Sequence, residues 1–334
     1  MKQALTCLLF LISLTACEKL LISKDPANTP TENARFLWQT INEKYTFLDF
    51  KRVNWDSVGR VWLPRVSDTM NDVLLFRICD SMLYTLRDGH VNLFASFNFS
   101  RNWQSYLNHP DNFDEYLLER NYLRGNQRIT GGLVNTFMDS NRVGYIRYSS
   151  FSRTVSDFDI DVVLARFRDT KGIIFDVRSN GGGSSANVEK LLSRFTNKKV
   201  LIWRTAEKVG TGKNELGNFK DQYAEPAGSF QYTKPVMLLT NRRSYSATSF
   251  FTAAMLAFPN VKVIGDWTGG GGGTPSSTQL PNGWTLRYSA TATLMPTGFN
   301  IEDGTPPTIR QNMLKSDSDR GFDSIIEKAL QELK

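Results

Sequence analysis

Histidine is nearly missing from this sequence: 334 residues hold two, His90 and His109. Histidine is the side chain that takes up and returns a proton near neutral pH without environmental tuning. Any imidazole chemistry therefore falls to one of these two. No Cys/His cluster at zinc spacing occurs. Cysteine is equally scarce. Of the three, Cys7 and Cys17 lie near the start and only Cys79 lies further on, which leaves no disulfide pair once a leader is removed. Cys79, in Leu74-Leu75-Phe76-Arg77-Ile78-Cys79, reads as a buried structural thiol rather than a nucleophile. No block of five basic residues occurs and the net charge is a modest +7, so nucleic acid is not an expected partner. A Walker-type loop is also absent, and no cofactor is expected.

Long apolar runs are lacking too. The stretch from Leu8 to Leu14 follows Lys2 and precedes Thr15-Ala16-Cys17. It is too short to span a bilayer and has the plan of a secretory leader, residues 1–16. Leu14-Thr15-Ala16-Cys17 resembles a bacterial lipobox, which implies a lipid-modified Cys17 and several acyl chains as an anchor. The expected location is the cell envelope, with membrane contact through that anchor only. Residues 17–31, with Pro26 and Pro30, read as a tether.

What is present is alternation. Residues 32–90 read as a small helical domain, with apolar positions Phe36, Leu37, Ile41 and Tyr45 in one helix and Val73, Leu74, Ile78, Met82 and Leu83 in a second. Residues 91–142 read as an irregular connecting segment, rich in aromatic residues such as Phe94, Trp103, Tyr106, Phe113 and Tyr116. From 143 to 334 strands and helices alternate. Val143–Tyr148, Gly172–Val177, Val236–Thr240 and Val261–Ile264 read as strands, and 157–167, 186–195 and 247–258 as helices. A closing helix is expected over Phe322–Leu333. The fold class is an α/β layered core.

Three segments carry chemistry. Asp88-Gly89-His90 is a tight turn that aims an imidazole away from the backbone, whereas His109 lies in a loop-like Asn-His-Pro-Asp. His90 is therefore the candidate general base. Asn180-Gly181-Gly182-Gly183 follows a strand and opens a helix, so its amides can face an anion or an oxyanion formed during reaction. Gly269 to Gly273 is a run of five glycines, read as a mobile loop beside the site. Ser244, Ser246 and Ser249 cluster at a strand-to-helix junction, where one serine can be a nucleophile and another a helix cap. Local sequence does not choose among them.

The order of motifs does. Tyr45-Thr46-Phe47-Leu48-Asp49, Leu86-Arg87-Asp88-Gly89-His90, Phe175-Asp176-Val177-Arg178-Ser179-Asn180-Gly181-Gly182-Gly183, Ser244-Tyr245-Ser246-Ala247, Gly265-Asp266-Trp267-Thr268-Gly269 and Ile301-Glu302-Asp303-Gly304-Thr305-Pro306-Pro307 together resemble the S41 serine peptidases over roughly residues 33–330. The resemblance implies a crotonase-like ββα core and cleavage of peptides or unfolded proteins without a metal. It implies Ser246 as nucleophile, with the amides of Ala247 and Gly182 as oxyanion hole. The family's processing branch takes a lysine base after its Thr-Gly motif. That stretch is all glycine here, so the resemblance runs to the tricorn-like branch, with His90 as base and Glu302 orienting its ring.

Three positions depart from that pattern. Gly89 stands where the tricorn-like set has serine, Ser249 where a glutamate is usual, and Pro306-Pro307-Thr308 where Pro-Pro-Asp is common. Residues 91–142 number roughly 50, too few for the PDZ module that processing proteases usually carry. The rival expectation is a non-catalytic lipoprotein that binds a ligand or peptide on the same fold, using the aromatic-rich segment.

Overall fold

Helix starts in this chain are set by side-chain caps. In the computed structural model, which describes residues 26–102, 107–212 and 215–334, Thr29 accepts from Glu32 N and Pro30 opens α1 (Pro30–Lys44). Asn54 caps α2 (Trp55–Trp62) and Asn71 caps α3 (Asp72–Tyr84) in the same way. The leader, Cys17 with its expected lipid, most of the tether, Trp103 and Tyr106 lie outside the described residues. Leu37, Ile41, Trp55, Leu75, Cys79 and Met82 of these helices are buried in one cluster. The helical domain read from sequence is present, with α2 as an additional helix.

The strands in chain order are β1 (Asn92–Phe94), β2 (Arg128–Thr130), β3 (Leu133–Met138), β4 (Val143–Tyr148), β5 (Gly172–Asp176), β6 (Val200–Glu207) and β7 (Lys220–Ala224). They continue with β8 (Val236–Thr240), β9 (Val261–Gly265), β10 (Pro275–Gln279), β11 (Thr285–Ser289), β12 (Thr291–Leu294) and β13 (Ile309–Arg310). Seven of them form one sheet in the order β13-β9-β8-β5-β4-β3-β2. Its centre, β4-β5-β8-β9, is parallel. Helices α4 (Asp157–Arg166), α5 (Ser185–Leu192) and α6 (Ala247–Met255) connect those strands, and α7 (Ser324–Glu332) closes the chain under an Asp323 cap.

Both faces of this sheet are covered, which is why its central strands are mostly apolar. Ile173, Phe175 and Leu238 point to one face, with Val163, Leu191 and Phe251 of α4, α5 and α6. Ile174, Met237 and Leu239 point to the other, against Ile325, Ile326 and Ala329 of α7. The alternation is that of a strand period of two. This is the mixed α/β core expected from sequence.

The segment 91–142 differs from its reading as irregular. β3 pairs antiparallel with β4 and β2 with β3, so 128–138 extend the large sheet. β1 pairs with β11 in a three-stranded sheet, β1-β11-β10, while β12-β6-β7 forms a third. The core thus begins before Val143, because Leu133 and Met138 supply buried positions to it.

Candidate active site

Ser246 sits between β8 and α6 with φ 56° and ψ −122°. A non-glycine residue at positive φ is held there by its surroundings. Here Ser246 N donates to Gly270 O at 2.9 Å and the preceding Tyr245 N to Asn180 O at 3.0 Å. Although Ser246 occupies the cap position of α6, its hydroxyl makes no capping bond. Instead Oγ lies 3.0 Å from His90 Nε2. The two neighbouring serines have backbone partners. Ser244 Oγ donates to Val177 O at 2.8 Å, and Ser249 Oγ to Gly270 O at 2.7 Å, both fully buried. Geometry therefore separates three serines that local sequence could not.

His90 is buried at 3% exposure. Asp88 Oδ1 accepts from His90 N at 2.7 Å, and Ser289 Oγ donates to Asp88 Oδ2 at 2.9 Å. The tight turn is thus an Asx turn pinned to β11. Tyr245 packs edge-on against the imidazole, ring centroids 5.0 Å apart. Burial lowers the His90 pKa below the ordinary histidine value; Arg287 and Lys51 act in the same direction, while Asp88 and the Gly273 backbone oppose them. The ring is neutral at neutral pH, the state a base requires. His109 is exposed in a turn.

The glycine-rich turn after β5 is braced by Asn180, whose Nδ2 donates to Tyr148 O at 2.8 Å. Gly182, with φ 98°, lies against the elbow so closely that a Cβ there would meet Ala247 N at 2.9 Å. Its own amide, however, donates to Asn180 Oδ1 at 2.9 Å. An amide so engaged is not aimed at a ligand, which differs from the expectation for Gly182. Gly183, the next residue, lines a cavity of about 260 Å³ together with Ser246 and Ala247. Its other walls include Val188, Trp203, Phe250 and Pro275, with Trp203 edge-on to Phe250 at 5.6 Å. A larger cleft of about 750 Å³, lined by Arg120, Asp139, Arg320 and Phe322, contains none of these residues.

Glu302 does not bond to His90. Its Oε1 lies 2.7 Å from Lys51 Nζ and its Oε2 accepts from Gly272 N at 2.8 Å. Burial first, then the charge of Asp88, raise its pKa against the opposing pull of Lys51. The orienting role expected of Glu302 is not what its contacts describe. Nor is the five-glycine segment a solvent-exposed loop. Gly269–Gly273 is buried, and it is bonded to Ser244 O through Gly269 N and to Glu302 O through Gly271 N. Gly89, where the family pattern has serine, lies under Tyr245: a Cβ would come within 2.8 Å of the phenol oxygen. Sequence reading missed Lys51, Ser289, Trp203 and Phe250. Asp88 was visible beside Gly89 as a turn former, but its bond to Ser289 was not.

Among the described residues of the connecting segment, several aromatic rings contact other rings. Phe94 stacks on Phe99, and Phe97 meets Phe76 and Trp284 edge-on. They do not line the cavity beside Ser246.

The arrangement defines a class first: an α/β protein with a serine–histidine pair at a strand-to-helix elbow, opening on an apolar cavity. The chain belongs to peptidase family S41, which residues 142–311 match, and residues 26–84 match the Tricorn protease C1 domain. It is 28% identical over 169 residues to "Carboxy-terminal processing protease CtpB" of Bacillus subtilis strain 168, covering 50% of this chain and 33% of that protein. It is 28% identical over 166 residues to a "Probable CtpA-like serine protease" of Staphylococcus aureus strain N315, covering 48% and 31%. The chain thus spans about a third of the length of these curated relatives. A crystal structure from Parabacteroides merdae ATCC 43184, described as that of a candidate peptidase, is similar over 92% of this chain and 97% of that one, with TM-score 0.88 and 39% identity.

Proposed function

We propose that this protein is a serine peptidase that hydrolyses peptides or unfolded proteins in the cell envelope. The carrying observation is the 3.0 Å contact between Ser246 Oγ and His90 Nε2, made by a hydroxyl that caps no helix. His90 Nε2 takes the Ser246 proton as Oγ bonds to the substrate carbonyl carbon. The oxyanion is assigned to the amides of Ala247 and Gly183, which line the cavity beside Ser246, in place of the Gly182 amide held by Asn180. As the C–N bond breaks, the leaving amine takes the proton from His90. Water then attacks the acyl ester, again losing its proton to His90, and Ser246 is restored. Asp88 favours the imidazolium that forms at each step. The walls Val188, Trp203 and Phe250 suit an apolar substrate side chain beside the scissile bond.

Lipid attachment at Cys17, with no PDZ module between the helical unit and the core, completes the reading. Among the described residues no helix is long and apolar enough to cross a membrane. Labelling with a fluorophosphonate probe tests the chemistry. Wild type is expected to label, and Ser246→Ala and His90→Ala to lose labelling while remaining folded. Absence of labelling in folded wild type overturns the reading. Incorporation of labelled palmitate, lost in Cys17→Ser, tests the anchor.

A further inference from the structure

Lys51 belongs to the turn after α1, outside the core that carries Ser246, yet its ammonium is buried among groups of the active site. Nζ lies 2.7 Å from Glu302 Oε1, 3.0 Å from Arg87 O and 3.9 Å from Asp303 Oδ1, and the side chain is 5% exposed. The Arg87 guanidinium donates back to Lys51 O, so the two turns clasp each other. Arg87 itself is held at φ 50°, three residues before His90.

On the other side the ammonium is linked, through Glu302 and the glycine segment, to the Ser246 backbone amide. Glu302 Oε2 takes the Gly272 amide, Glu302 O takes that of Gly271, and Gly270 O takes that of Ser246. Contacts therefore run from Ser246 through the glycine segment to Glu302, through Lys51 to Arg87, and along the turn to His90, which returns to Ser246 Oγ. Lys51 is the joint in this ring that belongs to neither catalytic segment. A buried ion pair contributes little net stability, because desolvation offsets most of the attraction. What it supplies is a fixed register between two elements.

We propose that Lys51 is a positioning residue, which holds the His90 turn and the Glu302–glycine segment in register so that imidazole and hydroxyl meet. The N-terminal helical unit is then a working part of the active site. This rests on the Ser246–His90 reading above for its rate consequence, but not for its electrostatic one. The charged groups that act on His90 are Asp88 in its own turn, Arg287 on β11 and Lys51, with the Gly273 backbone and the Tyr245 ring also against it. Lys51 favours the neutral ring, so removing its charge must raise the His90 midpoint.

The experiment exploits the two histidines. With ¹³C-histidine in the full chain, His90 and His109 are titrated by NMR in wild type, Lys51→Met, Lys51→Arg and the paired apolar variant Lys51→Met/Glu302→Leu. Fluorophosphonate labelling rates are measured on the same samples. In Lys51→Met the expected result is an upward shift of the His90 midpoint, an unmoved His109, and labelling slower by about 100-fold. Lys51→Arg should recover the midpoint and part of the rate. A folded Lys51→Met with unchanged midpoint and rate overturns the proposal. Should Lys51→Met not fold, the paired variant decides, since it leaves no unpaired charge: wild-type labelling in it overturns the proposal. Wild type that titrates as expected but does not label sinks the nucleophile reading instead.

Discussion

Ser246 holds φ 56° and ψ −122°, a backbone state that costs on the order of 1–3 kcal/mol for a residue with a side chain. Two amide bonds, Ser246 to Gly270 and Tyr245 to Asn180, keep it there. The consequence is a hydroxyl lifted from the helix end and left for the imidazole. Under the proposed chemistry, His90 sets the pH range of that hydroxyl. Its pKa is lowered chiefly by burial, and only the neutral ring accepts a proton. Labelling should therefore be at its plateau near neutrality and fall as pH drops through a midpoint below the free-histidine value of about 6.5. A midpoint at or above that value in a rate-versus-pH profile would contradict the buried, neutral ring. Cys79 makes a second, simpler case. Burial pushes its thiol up to about 12, so almost no thiolate exists at pH 8 and the residue is shielded. A thiol reagent should react with Cys79 only after denaturant is added, and rapid reaction of the native protein would place Cys79 elsewhere than in the buried cluster.

Among the elements, the glycine segment is the least forgiving. Gly270 has φ +86°, and a Cβ there would stand 1.9 Å from Glu302 O. Since backbone, not a flexible side chain, occupies that space, Gly270→Ala has no local escape. We expect a loss of at least about 2–3 kcal/mol in denaturant unfolding, together with slower labelling; unchanged values for both would show the segment to be loosely held. This element also marks where sequence reading stops. Five glycines announce a non-helical, non-strand backbone, but exposure and motion do not follow from composition. The bonds to Ser244 and Glu302 that bury it come from distant segments. Strands β4, β5 and β8 were legible because burial on both faces makes them mostly apolar. β7 and β10 were not, since Lys-Asp-Gln-Tyr-Ala and Pro-Ser-Ser-Thr-Gln are mostly exposed and carry no alternation. The loss matters for function, because β6 and β10, both unread, supply Trp203 and Pro275 to the cavity. Of the candidate pair, His90 was legible because the chain has only two histidines, whereas Ser246 was reached only through the order of motifs. Glu302 was found as a residue but given the wrong neighbour, because no local signal links it to Lys51.

At the scale of the whole molecule, the question is whether the helical unit and the sheet core are separable. The buried cluster around α1–α3 does not end at the helical unit. It takes in Leu280, Trp284, Leu286 and Tyr288 from the β10–β11 hairpin, and β1, the strand just after His90, pairs with β11. Ser289 at the end of β11 holds Asp88, so the hairpin both packs the helices and pins the turn that carries His90. A division of the chain near residue 90 would cut through this cluster, leaving apolar surface on both pieces. Leu286 is fully buried at its centre, and Leu286→Ala should cost about 2–5 kcal/mol for the lost contacts and the cavity left behind. The informative readout is the form of the loss. If helices and hairpin share one core, far-UV circular dichroism and fluorophosphonate labelling should fall together with denaturant, at a lower midpoint than in wild type. Labelling that vanishes well before the helical signal would mean that the hairpin detaches alone. Under the arrangement seen here it cannot detach alone, because the surface it would expose is the surface on which α1 and α3 are packed.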